Sequence, residues 1–132
     1  LMSLRRLQVI VVGSHLDSVD AGPGINDNGS GSATNLQMLI EFARLYLSSE
    51  EARAKVKSRV RFCFWGAEEE GLLGSEAYVA RLASDNPGEL ANIAVNMNFD
   101  MLGRWAIVAA LVRAAGCLCL TPCDAFRLQW QP

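Results

Sequence analysis

Histidine is nearly missing from this chain: of 132 residues only His15 carries an imidazole, so any histidine chemistry has one address. An excess of basic charge is also missing, with 12 Lys and Arg against 14 Asp and Glu and a formal net charge of -2. No Lys/Arg cluster interleaves with aromatics, so the electrostatic footprint of a nucleic-acid binder is lacking and no nucleic-acid partner is expected. Cysteine is limited to Cys63, Cys117, Cys119 and Cys123, whose spacing dictates no disulfide framework and leaves the compartment unread. The longest apolar stretch, residues 105–120, has Arg113 as its one charge and Gly116 as its interruption. It is too short for a membrane span. Residues 2–6 lack the layout of a signal peptide, so the chain either starts here or is without its natural start.

What is present is ordinary globular material, 51% hydrophobic and 20% charged, which bounds the chain to one domain with enough apolar residues for a sizeable core. Residues 7–13 form a continuous β-branched run ended by glycine, as expected of a strand buried on both faces of a parallel sheet. Residues 15–31 shift to Asp, Asn, Gly, Ser and Pro, a loop long enough to be read as functional. Residues 32–47 show a helical period through Leu36, Ile40, Ala43 and Leu47, widened by Leu39, Phe42 and Tyr46, and are expected to pack on the sheet. The charged stretch 48–59 reads as a helix end and a solvated connection. A second strand is expected at 60–65, a second helix at 74–83 stopped by Asp85-Asn86-Pro87-Gly88, and a third strand at 93–99. The alternation predicts an α/β fold with a mainly parallel sheet and helices on both faces. The run 105–120 fits a buried or amphipathic helix loosely, and 121–132 offers little pattern.

Chemistry gathers at the strand ends, where open α/β sheets place their ligands. The first strand ends in His15, with Asp17 two residues on and Asp27 in the following loop. The second delivers Glu68, Glu69 and Glu70 into a glycine-bounded turn, and the third ends in Asp100. An isolated acidic triplet is more often a solvated turn, and a lone histidine more often a surface or hydrogen-bonded core residue. Three strands aiming His, Glu and Asp at one edge favour a metal. His15, Asp27, Glu69 and Asp100 are of the types zinc takes. The Asp17 carboxylate is placed to accept the ring's second N–H and fix its tautomer. Asp27, free of strand geometry, could bridge two ions about 3.5 to 4 Å apart, with one remaining acid left to take a proton.

Four motifs in order, Gly13-Ser14-His15-Leu16-Asp17-Ser18, Gly24-Ile25-Asn26-Asp27-Asn28-Gly29-Ser30-Gly31, Trp65-Gly66-Ala67-Glu68-Glu69-Glu70-Gly71-Leu72-Leu73-Gly74-Ser75 and Asn98-Phe99-Asp100-Met101-Leu102-Gly103, resemble the zinc aminopeptidases of peptidase family M28. The resemblance covers roughly residues 7–103. It implies a zinc-exopeptidase-like fold, two zinc ions, a peptide substrate and hydrolysis of the N-terminal peptide bond by metal-activated water. By motif, His15 and Asp100 match ligands of the first zinc, Asp27 the bridging carboxylate and Glu69 a ligand of the second. Glu68 matches the general base and Asp17 the aspartate behind the histidine, which makes these two the candidate catalytic residues. Glu70 falls at a variable position and receives no role. The resemblance is compatible with a secreted or lumenal location.

The chain departs from the family's pattern in lacking the later histidine that completes the second zinc site. It is expected to be a catalytic core truncated at both ends, residues 1–103 forming a partial peptidase domain and 104–132 a divergent apolar tail. A mononuclear site on His15, Asp27 and Asp100 stays open, whereas the tail cysteines match no common zinc module. Open sheet edges and apolar faces leave room for a partner chain or the remainder of a domain. The alternatives to a metalloaminopeptidase are an inactive relative that at most binds peptide or a partner, and another activity on the same scaffold, a carboxypeptidase or glutaminyl cyclase.

Overall fold

Residues 8–103 and 126–129 are described by the computed structural model of the chain. Strands β1 (Val9–His15), β2 (Arg59–Trp65) and β3 (Ile93–Phe99) run parallel with β1 in the middle. β1 pairs with β2 from Val9 opposite Arg59 to His15 opposite Trp65, and with β3 as far as Gly13 opposite Asn98. The central position explains the unbroken β-branched run: Val9, Val11 and Val12 are all at most 3% exposed, as a strand covered on both faces must be. Because parallel strands need crossovers, α1 (Gly31–Ser48) and α2 (Glu50–Lys55) link β1 to β2, and α3 (Leu73–Asp85) and α4 (Pro87–Leu90) link β2 to β3.

Side chains alternate along a strand, so Phe62 lies on one face of β2 while Arg61 and Trp65 lie on the other. The Phe62 ring meets Phe42 of α1 at 6.0 Å. Trp65 meets Tyr78 of α3 at 5.2 Å, and the Arg61 guanidinium donates to the Tyr78 hydroxyl. Helices therefore cover both faces of the sheet.

Three expectations change. The stretch after α1 is not a frayed end but a separate helix, because the Ser49 hydroxyl accepts the Ala52 N–H at 3.0 Å and caps α2; such a cap supplies one of the partners that a helix start lacks. The stripe of α1 that faces the sheet is the expected one only in part: Phe42 meets Phe62, but the leucine-rich positions do not follow it. Gly31 and Asn35 are its buried residues, whereas Leu36 is 48% and Leu47 69% exposed. Finally the core is small: Val9, Val11, Val12 and Phe99 are the buried hydrophobics among the described residues. Apolar content is ample, but much of it faces outward.

Residues 121–132 offer little pattern in sequence, yet they include β4 (Phe126–Gln129), which pairs antiparallel with β3 and gives the order β2-β1-β3-β4. The helix expected over 105–120 and the cysteines at 117, 119 and 123 lie outside the described residues. Among the described residues no helix is long and apolar enough to cross a membrane.

Candidate metal centre

Parallel pairing puts the carboxyl ends of β1, β2 and β3 on one edge, and the side chains that follow each strand meet there. His15, the last residue of β1, is 2% exposed. Its Nδ1 lies 3.0 Å from the Asp17 carbonyl oxygen. A carbonyl can only accept, so Nδ1 carries the proton and Nε2 presents its lone pair to the site. That nitrogen stands 3.1 Å from Asp27 Oδ1, 3.4 Å from Asp100 Oδ1 and 3.8 Å from Glu68 Oε2.

Asp17 acts differently from expectation. Its backbone carbonyl, not its carboxylate, accepts the imidazole N–H; the carboxylate is 3.6 Å from Nδ1. The two carboxylate oxygens are taken by the backbone N–H groups of Glu68 and Glu69, each at 3.0 Å. One residue thus orients the histidine through its main chain and clamps the acidic turn after β2 through its side chain.

The acidic turn is built from tight main-chain geometry. The Gly71 and Leu72 N–H groups donate to the Glu68 carbonyl at 2.9 and 2.8 Å, and the Gly74 N–H donates to the Gly66 carbonyl at 3.1 Å. Gly71 adopts φ +104, a conformation that residues with a side chain rarely adopt. A Cβ at Gly74 would run into the Gly66 carbonyl oxygen, so glycine is needed there for close approach. Glu68 and Glu69 are half-buried by this arrangement, whereas Glu70 is exposed.

Asp27 sits at a kink in the turn Ile25–Ser30, with non-helical backbone angles of φ -110 and ψ 95, and the turn is tied by the Gly29 N–H to the Gly24 carbonyl at 2.7 Å and by the Ser30 hydroxyl to the Asn26 carbonyl at 2.6 Å. Asn28 is 2% exposed and joins this loop to the end of β3, donating from Nδ2 to the Phe99 carbonyl at 2.9 Å. No sequence pattern marks Asn28 or the fully buried Asn35 for a role. Asn35 Nδ2 reaches Ser14 Oγ at 3.0 Å and the Cys63 carbonyl at 2.9 Å, bracing α1 against β1 and β2. A buried amide on an apolar helix was the available signal.

The cluster is electrostatically tense. Burial works against protonation of His15, but the carboxylates of Asp100 and Glu68, the bond to Asp17 and the Asp27 carboxylate outweigh it and raise the imidazole pKa. Burial raises Glu68, and Asp100, Glu69 and Asp17 add to the rise against the opposing pull of His15. Burial would also raise Asp17, but the N–H bonds from Glu68 and Glu69 dominate and lower it. His15 Nε2, Glu69 Oε1 and Asp100 Oδ1 are buried with no hydrogen-bond partner. Ligand atoms of His15, Asp27 and Asp100 lie within 4.8 Å of one another, as do those of His15, Glu68 and Glu69. Lone pairs gathered without donors fit a cation, and one nitrogen with carboxylate oxygens fits zinc. Both groupings share the one histidine, so they are not two independent sites.

The profile of peptidase family M28 matches residues 3–111. An aminopeptidase of Pseudomonas aeruginosa strain UCBPP-PA14 is 50% identical over 95 residues, which is 72% of this chain and 16% of that protein. A probable leucine aminopeptidase 2 of Aspergillus fumigatus is 49% identical over 94 residues, 71% of this chain and 16% of its own length. The probable lipoprotein aminopeptidase LpqL of Mycobacterium tuberculosis is 48% identical over 94 residues, 71% of this chain and 17% of the relative. Among solved structures, the aminopeptidase from Aneurinibacillus sp. strain AM-1 superposes with a TM-score of 0.56 at 38% identity, covering 73% of this chain and 20% of that one. The chain thus spans about a sixth of the length of the curated relatives it matches. The matched stretch contains all three strand ends and the loop that carries Asp27, and on that ground the chain belongs to peptidase family M28.

Proposed function

We propose that this chain is the metal-holding part of an aminopeptidase-type hydrolase, with one zinc ion bound by His15, Asp27 and Asp100 and with Glu69 beside it. The observation that carries the reading is His15 Nε2, a buried nitrogen without a hydrogen-bond partner, 3.1 Å from one carboxylate and 3.4 Å from another. Anions so close to a lone pair are stable only around a proton or a metal ion. Zinc, when bound, supplies a Lewis acid that polarises a carbonyl and makes water acidic enough to ionise near neutrality.

The chain's own groups do the rest. Asp17 holds His15 in the tautomer that offers Nε2 and fixes the main chain at Glu68 and Glu69. Glu68 stands farther from Nε2 than Asp27 or Asp100, at 3.8 Å, and its pKa is raised by burial and by its acidic neighbours. A carboxylate so placed is suited to take a proton from water and return it to a leaving amine. That the bond cleaved is the first peptide bond of a chain is supported by the names of the three relatives above, all aminopeptidases. Residues 1–103 contain every group this reading uses.

A second reading, a relative without turnover, is favoured by one observation: both ligand groupings draw on the same histidine. The two are separated by hydrolysis of leucine 4-nitroanilide with and without chelator, alongside Glu68→Gln. The expected result is chelator-sensitive turnover that falls about 10²- to 10⁴-fold in Glu68→Gln while zinc is retained. Undiminished turnover in Glu68→Gln would refute the role given to Glu68, and no turnover in the parent chain would favour the second reading.

A further inference from the structure

The geometry points to Asn28 as a positioning residue that sets the spacing between the Asp27 and Asp100 carboxylates, so that the loop ligand and the strand-end ligand reach one ion together. The inference rests on the metal reading above. Asn28 follows Asp27 in the chain, and its side chain grips the main chain on both sides of Asp100. Nδ2 donates to the Phe99 carbonyl at 2.9 Å, and Oδ1 accepts the Met101 N–H at 3.3 Å. The same Oδ1 accepts the Gly31 N–H at 2.9 Å, at the start of α1. An amide 2% exposed thus joins three segments at one point. A lost partner there is expensive, because a buried polar group without its bond keeps the full desolvation penalty.

Two further features show that the junction is built closely. Met101 adopts φ +52, a left-handed conformation unfavourable for a residue with a Cβ, and its N–H is one of the two that Asn28 accepts. The bond to Asn28 therefore holds the turn that aims Asp100. At Gly31 a Cβ would run into both Asn28 Oδ1 and the Phe99 carbonyl oxygen, so the loop, β3 and α1 approach as closely as glycine permits. Asp27 and Asp100 repel each other across His15 Nε2, and without this bracket each is free to move apart. Groups behind metal ligands that fix ligand orientation commonly change metal affinity tenfold or more when removed.

The test is titration of the full 132-residue chain with Co²⁺, read by its visible d–d absorption, with circular dichroism to verify folding. Asn28→Ala is expected to bind Co²⁺ at least tenfold more weakly with an altered spectrum. The double variant Asn28→Ala/Met101→Gly is expected to recover a part, since glycine adopts the left-handed turn unaided. Asn28→Asp keeps both accepted N–H bonds but turns an oxygen toward the Phe99 carbonyl. Its added negative charge would by itself favour a cation, so the expected weakening of threefold or more reports lost geometry, and it carries the test if Asn28→Ala does not fold. A folded Asn28 variant that binds within twofold of the parent with an unchanged spectrum overturns the inference and leaves the metal reading intact. A parent chain that binds no Co²⁺ overturns both.

Discussion

Asn in place of Asp17 is the most revealing single change, because Asp17 sits between the histidine and the acidic turn. Its two carboxylate oxygens accept the Glu68 and Glu69 N–H groups at 3.0 Å each. Asparagine keeps one acceptor and turns an NH₂ toward the other N–H, so one bond is lost outright and the second becomes neutral. A hydrogen bond to a charged group contributes about 1.5–3 kcal/mol, so Asp17→Asn is expected to cost roughly 2–3 kcal/mol. That is a large share of the roughly 5–15 kcal/mol by which domains are stable. The pKa of Asp17 is lowered in the folded chain by these same bonds, which overcome the effect of burial. The contribution is therefore present above the ordinary aspartate value of about 3.9 and is lost as pH falls through the lower folded value. Urea unfolding of both proteins across the acid range is the assay. The expected result is a wide gap near neutrality that closes toward strongly acid pH. A gap under about 0.5 kcal/mol near neutrality, the usual size for an unimportant surface change, would refute the clamp.

The acidic turn and the histidine make two further expectations. Gly74→Ala introduces a methyl group against the Gly66 carbonyl, and overpacking of that kind costs about 1–3 kcal/mol; unfolding with zinc titration should show lower stability and weaker metal binding together, and parent-like values in both would contradict the role given to this contact. In the metal-free chain the raised pKa of His15, where the carboxylates around Nε2 outweigh burial, stabilises the fold fully below the ordinary imidazole value of about 6.5, and this is lost as pH rises through the higher folded value. Urea midpoints in chelator should fall from mildly acid to mildly alkaline pH, and a rise over that window would contradict it.

How much of this could be read from the chain depended on what each residue advertises. β1 was legible because a strand covered on both faces must be continuously apolar, and Val9 to Val12 are. The site edge was legible because His15 ends a strand, Glu68, Glu69 and Asp100 follow one, and parallel strands end together. The buried stripe of α1 was partly hidden, because Leu36, Ile40 and Leu47 suggest a core face while the residues fully buried are Gly31 and Asn35. The side chain of Asp17 was misdirected for a similar reason. Spacing places it near the imidazole, but two main-chain donors from a turn about fifty residues away hold it more strongly, and no local pattern reveals them. Asn28 lies in a glycine-rich loop where asparagine usually needs no explanation beyond the turn itself. β4 is four residues long, and so short a strand carries little alternation to detect.

The most direct test of the account is zinc stoichiometry of the purified 132-residue chain after exhaustive dialysis, with His15→Ala as the control. Zinc is expected to stay with the parent chain and to be lost from the His15→Ala variant. A parent chain without zinc, or zinc held equally well by His15→Ala, would contradict it.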